Sequence, residues 1–250
     1  RLTTAQMQGF EAETNMTGLD FTNVWELVSN ETIGTEDSYT ILKSFDQQDQ
    51  LKLRDINLYA SGDGNKNNPY EIASWTHLNN TRENLDANFT LVNDLDKNTE
   101  GYISVADGSA NNGVGFEPIG NDKDSAFNGS FDGQDHTISN LIINRSDEEY
   151  VGLFGYIVSG TIKNVILEDV NITGQEYVGG LVGMHINEMP ILGTIENVTV
   201  AGNVTGVSYV GGIVGILENT KIITSVSYVE VTGDDGEVTG DGGEVMAYIG

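Results

Sequence analysis

Two carboxylates three residues apart, Asp132 and Asp135 in "FDGQDH", have the best spacing for chemistry in this 250-residue chain, and His136 is adjacent. Glycoside hydrolysis uses two carboxyl groups held a fixed distance apart, one acting as acid and the other as base or nucleophile. D-G-x-D is also an ordinary turn sequence ahead of a strand. The pair therefore reads as structural, and no catalytic residue is assigned. A second candidate, "DGNKN", sets Asp63, Asn65 and Asn67 at the alternating positions that open a calcium loop. The glycine expected next is Asn68, and the twelfth position is Ser74 rather than Glu, so an EF-hand loop is not supported. Calcium is the one cofactor the sequence leaves open, with these three residues the first place to look. The acidic stretch "DDGEVTGDGGE" at 234–244 lacks ligand spacing and reads as a solvated outer loop.

The elements that position these residues must be built in a very acidic chain. Thirty-eight acids against eleven bases give a net charge of −27. Such a surface repels phosphate backbones, which excludes nucleic acid as a partner. Calcium loading, a high-salt environment or the solubility of a surface protein could each produce it. The acids are scattered and only seven lysines are present, which favours a halophile-like surface. No apolar run approaches the roughly 18 residues that span a bilayer, so no membrane contact is expected within this segment. Cysteine is absent, which leaves the compartment open. Sequons say more: N-x-S/T occurs at Asn15, Asn30, Asn79, Asn88, Asn128, Asn144, Asn171, Asn197 and Asn203. Chance supplies several in a chain this rich in Asn and Thr, but nine is a high density. Glycosylation there would place the chain on an extracellular surface.

Internal repetition is the strongest signal. "YVGGLVG" at 177–183 returns as "YVGGIVG" at 209–215, with a shorter "YVGLFG" at 150–155. A second phrase recurs beside it: "TISNLII" at 137–143, "TIKNVIL" at 161–167, "TIENVTV" at 194–200 and a weaker "IITSVSY" at 222–228. Aligned on that phrase, Asn140, Asn164 and Asn197 recur, with Ser225 in the last copy. The runs are short, β-branched and alternate with period two, so they are strands. Runs this short bury nothing alone, whereas stacked coils bury the inward Val, Ile and Leu. Offsets of 24, 33 and 28 residues suit a solenoid better than a propeller, because one turn of each coil can bulge. The expected fold is all-β, a right-handed parallel β-helix. The recurring Asn sits at a bend, the paired glycines allow close approach or positive φ, and Tyr150, Tyr177 and Tyr209 open equivalent coils. Packing between coils is the expected role of these tyrosines, and a sugar platform is the alternative. Helical spacing of Trp75, Leu78, Arg82 and Leu85 behind Ser74 predicts one capping helix over 72–85.

The phrase YVGG[LI]VG followed by T-I-x-N-V-x-V resembles the GLUG repeat, over roughly 127–250. That repeat is found in bacterial and archaeal cell-surface proteins and in the N-terminal region of IgA-specific metallopeptidases. "FNGSFDGQDHTISNLII" resembles the segment that leads into such arrays, and "GDGNKNNPYEIASWTHLNN" with "FTLVNDLD" the start of the same kind of domain. The peptidase activity needs H-E-x-x-H, and His77, His136 and His185 are isolated. The resemblance implies three regions: 1–58 closing a preceding repeat domain, 59–126 a cap with first coils, and 127–250 the repeats. Tyr248-Ile249-Gly250 reads as a fourth copy cut short. The expected function is a non-enzymatic structural module of a large extracellular sheath or filament, with an adhesin arm and a carbohydrate-active enzyme as alternatives. Its expected partners are copies of itself, adjacent tandem units, and cell-surface glycans.

Overall fold

The computed structural model describes strands at 25–28 and 39–42 and the residues 58–187 and 193–233. The chain divides into two compact units, 1–58 and 59–250. In the first, strands β1 (Trp25–Val28) and β2 (Tyr39–Leu42) pair antiparallel.

The second unit is a parallel β-solenoid. Its main wall runs through β3 (Tyr70–Ile72), β4 (Asn88–Leu91), β5 (Ser130–Asp132), β6 (Thr137–Ser139) and β7 (Ile142–Asn144) to the 13-residue β9 (Thr161–Thr173). A second wall starts with β8 (Phe154–Val158). Each later coil repeats the same order: β10 (Glu176–Gly179), β11 (Val182–Ile186) and β12 (Thr194–Gly206), then β13 (Ser208–Gly211), β14 (Val214–Glu218), β15 (Lys221–Ile223) and β16 (Val226–Gly233). β9 pairs in parallel with β12, β12 with β15 and β16, β8 with β11 and β14, and β10 with β13. Alternation places Ile162, Val165, Leu167 and Ile172 inside β9 and Ile195, Val198, Val200 and Val204 inside β12, all fully buried. Toward the first coils the core turns aromatic. Phe89, Phe116, Phe127, Phe131 and Phe154 are all buried, and Phe127 and Phe154 meet at 4.9 Å.

Register differs from the sequence alignment in two respects. Thr137–Ser139 resembles Thr161–Lys163, yet it pairs with Ile166–Glu168, and Ser130–Asp132 pairs with Thr161–Lys163 instead. Asn140 therefore belongs to a different corner from Asn164 and Asn197. In the last coil Val198 faces Ser225 and Thr199 pairs with Val226, so Thr224, not Ser225, occupies the asparagine position. Its φ of 49° matches Asn164 at 54° and Asn197 at 51°.

The helix predicted over 72–85 is shorter. Ile72 pairs with Leu91 as strand, α1 spans Trp75–Asn79, and a 3₁₀ turn continues through Asn80–Asn84. The Ser74 hydroxyl accepts from the His77 amide at 3.2 Å, which caps the first turn. One further four-residue helix, α2 (Tyr102–Val105), and a left-handed turn at Ala110–Gly113, with Asn111 at φ 49° and Asn112 at φ 63°, replace the expectation of a single helix. At one turn each they are too short for a 3.6-residue period to show. β3 is the outermost strand, and its edge is paired rather than open: Ala60 and Glu71 bond at 2.9 Å, as do Glu71 and Ser61.

Candidate functional site

The outer corner of β5, β9 and β12 gathers most of the residues singled out by spacing. Asp132 Oδ2 meets Lys163 Nζ at 2.8 Å, and its Oδ1 accepts from Asn164 Nδ2 at 2.9 Å and from the Gln134 amide at 3.1 Å. Burial opposes ionisation of Asp132. The Lys163, Asn164 and Gln134 donors outweigh it and hold the carboxyl below 3.8. A glycosidase acid needs the opposite shift. Asp135 is one step along, its Oδ1 accepting from Asn197 Nδ2 at 3.0 Å, and Asn197 Nδ2 also reaches Asn164 Oδ1 at 2.9 Å. Asp132, Asn164, Asn197 and Asp135 thus form one hydrogen-bonded ladder across three coils.

Each rung asparagine has positive φ, a conformation that Asn tolerates better than other side chains. Asn164→Ala should cost about 2–3 kcal/mol, the sum of lost ladder bonds on both sides and a strained alanine. Asn164→Gly should recover about 1 kcal/mol of that, because glycine accepts the backbone conformation. Urea midpoints of the two variants against the parent measure the difference; equal midpoints for all three would show that the ladder contributes nothing.

Tyr150, Tyr177 and Tyr209 form the second column. Their rings stack at 5.1 Å in both steps, with interplanar angles of 6° and 14°. All three have positive φ, at 58°, 55° and 51°, while the glycines of the same phrase do not. The glycines serve close approach instead: a Cβ on Gly183 would lie 2.7 Å from the Tyr177 carbonyl oxygen, and one on Gly215 equally close to that of Tyr209. Burial, followed by Glu176, pushes the Tyr177 hydroxyl up to about 12, so it stays neutral. The faces of Tyr177 are covered by its neighbours, and Tyr156 sits edge-on to Tyr150 at 5.0 Å. A sugar stacks on an open face, and Tyr177 offers none.

The histidines stand apart. His136 Nδ1 lies 2.8 Å from Asp94 Oδ1, a partner 42 residues upstream that no local spacing could reveal. The Thr137 amide, then His136, hold Asp94 below its ordinary value. Asp94 lines an open cleft of about 550 Å³ with Ser74, His77, Asp96 and Glu100. Two of these groups are engaged within the chain: Asp96 accepts from Asn98 and Thr99, and His77 Nδ1 accepts from the Ala73 amide. His185 is fully buried in β11 with neither ring nitrogen hydrogen-bonded.

In the calcium candidate, Asp63 Oδ1 accepts from the Asn65 amide, the Asp63 amide donates to Asn68 O, and the Asn68 amide to Asn65 O. The loop closes on itself as a turn, and Asn67 is exposed beside it. Among the described residues no three His, Asp or Glu converge as a metal site.

The sequons separate by environment. Asn79 Oδ1 accepts from Arg82, and its partner Thr81 is buried. Asn88 is held by Gly64 O and Ser130, Asn128 by Asp86, and Asn197 by the ladder. Asn144, Asn171 and Asn203 are exposed with no side-chain bond among the described residues. Asn15 and Asn30 lie outside the described residues.

Comparison with known proteins places this geometry. Residues 174–205 match the family model described as the GLUG motif. This chain carries the GLUG repeat. The matched GLUG unit is one complete coil, from the corner at Gly174 through β10, β11 and β12, and the Gly174 amide donates to Thr205 O where the next coil begins. The chain is 35% identical over 187 residues to Halomucin of Haloquadratum walsbyi, covering 71% of this chain and 2% of that protein. It is 36% identical over 152 residues to a candidate Gly-rich membrane protein of Evansella cellulosilytica, covering 58% and 16%. It thus spans a small part of the length of either relative. Among solved structures, a candidate immunoglobulin A1 protease from Bacteroides ovatus aligns at 19% identity and a TM-score of 0.43, over 72% of this chain and 74% of that one. A likeness at that score carries no functional weight.

Proposed function

We propose that this segment is a non-catalytic structural module of a large extracellular surface protein, serving as a stiff rod. The observation that carries the reading is the use of the conspicuous side chains. The paired carboxylates, the repeated asparagines and the tyrosines all bond or stack from coil to coil, along the direction in which the solenoid extends. Groups spent on holding coils together are not poised on a substrate. The similarity to much longer proteins, one named Halomucin and one named as a membrane protein, supports an extended surface setting.

An antibody against residues 59–233 should label intact, unpermeabilised cells of the source organism. Label that appears only after permeabilisation would overturn the surface reading. The purified segment should release no reducing sugar from polysaccharides. Any release that Asp132→Asn abolishes would revive the enzyme.

The acidity supports a high-salt setting for the rod. Self-repulsion of the −27 surface is screened as the Debye length shrinks to about 3 Å at 1 M salt. The melting temperature should therefore rise between dilute buffer and molar sodium chloride. Melts indifferent to salt but raised by micromolar calcium would move the explanation to a metal, with Asp63, Asn65 and Asn67 the first to be mutated.

A further inference from the structure

We infer that one outer face of the solenoid, that of β7, β9 and the second half of β12, is the N-glycosylated face of this protein, with Asn144, Asn171 and Asn203 as the acceptors. The inference rests on the extracellular reading above and adds the sites to it.

Three observations select this face. First, the three asparagines are exposed, and no side-chain bond holds their amides among the described residues, whereas Asn79, Asn88, Asn128 and Asn197 are each engaged. Second, the parallel register places them together: Asn171 pairs with Asn203, Asn144 with Thr173, and Thr173 with Thr205. Third, the residues between Asn and its hydroxyl partner are Ile172 and Val204, both fully buried, so Asn and Thr of each sequon project from the same outward side. At Asn144 the partner Ser146 is exposed as well. In Asn79-Asn80-Thr81, by contrast, Thr81 is buried and donates to Leu78 O.

The co-reactant is a glycan activated as a lipid-linked phosphate. The Asn Nδ2 forms a bond to the anomeric carbon, the bond from that carbon to phosphate oxygen breaks, the lipid phosphate leaves, and the amide proton is lost to the transferase base. No electron transfer is involved. A bulky, solvated sugar suits this face because Asn171 and Asn203 are both exposed among the described residues.

The test uses the native chain isolated from its source, cleaved with a glutamate-specific protease and sequenced by fragmentation mass spectrometry. Peptides with Asn144, Asn171 and Asn203 should carry a sugar mass, and Asn79, Asn88 and Asn197 should be bare. In the source host, Thr173→Ala with Thr205→Ala should remove the sugar at Asn171 and Asn203, and Thr→Ser at both should retain it. Solubility and melting confirm that the variants fold. Sugar on the engaged asparagines with these three bare overturns the inference. A chain displayed on intact cells yet bare at all three overturns it and leaves the surface role standing. A chain absent from the surface and bare overturns both.

Discussion

Val198→Asp should lower the stability of the solenoid by roughly 4 kcal/mol or more, because a fully buried carboxyl must either stay charged without a partner or take up a proton several pH units above its ordinary value. For a unit of this size that corresponds to a fall in melting temperature of roughly 10 °C or more. Val198 sits in β12 against Val165 of β9, and its amide donates to Ser225 Oγ at 3.1 Å. The control lies in the next coil. Val226 is half-buried and pairs with Thr199, so Val226→Asp should change stability by no more than about 1 kcal/mol. Val229 is 3% exposed, and Val229→Asp should be as damaging as Val198→Asp. A severe Val226→Asp beside a mild Val229→Asp would mean that the coils stack one residue out of register.

That contrast marks where the sequence stops being legible. The coil itself can be read, because stacking demands the same small residue and the same bend in every turn; hence Gly183 and Gly215, Asn164 and Asn197, Tyr177 and Tyr209. The register of the first and last coils cannot be read in the same way. A coil has more than one bend that takes a left-handed residue, so Asn140 and Asp169 occupy one corner while Asn164, Asn197 and Thr224 occupy another. The short β-branched runs between bends look alike, so Thr137–Ser139 matched the wrong part of β9. Nor does alternation say which polar groups meet. Asp132 is visible as a carboxylate, but its bond to Lys163 follows from β5 lying beside β9, and the meeting of Asp94 with His136 depends on a separation of 42 residues closing as one turn of the wall. The cap was half legible for the same reason. Ser74, Trp75 and Leu78 announce a helix, but Ile72 belongs to a strand whose partner, Leu91, lies beyond that helix.

Acidification from pH 7.5 to 4.5 should destabilise the protein by about 2.5 kcal/mol through one side chain, His185. Its ring stands in β11 between Ile157 of β8 and Leu217 of β14, fully buried. Burial drives its pKa down to about 4; the Gly160 carbonyl favours the charged form but lies outside hydrogen-bond geometry, and desolvation dominates. In the unfolded chain the same imidazole titrates near 6.5. Between those values the unfolded state binds a proton that the folded state refuses, so stability falls as pH drops through 6.5 toward 4 and is flat above that window. The depressed carboxyls of Asp94, Asp96, Asp107 and Asp132 act elsewhere, since their contribution is lost only below 3.8. His77 shifts in the same direction as His185, and partial neutralisation of the acidic surface acts in the opposite one. Both are common to parent and variant, so the difference between the parent and His185→Leu isolates the buried ring. The leucine variant should be at least as stable at pH 7.5, because it removes two buried nitrogens without partners. Its advantage should widen by about 2.5 kcal/mol by pH 4.5, read from urea midpoints at each pH. Parallel pH profiles for the two proteins would show that the imidazole reaches a proton acceptor in the folded state and that its burial is incomplete.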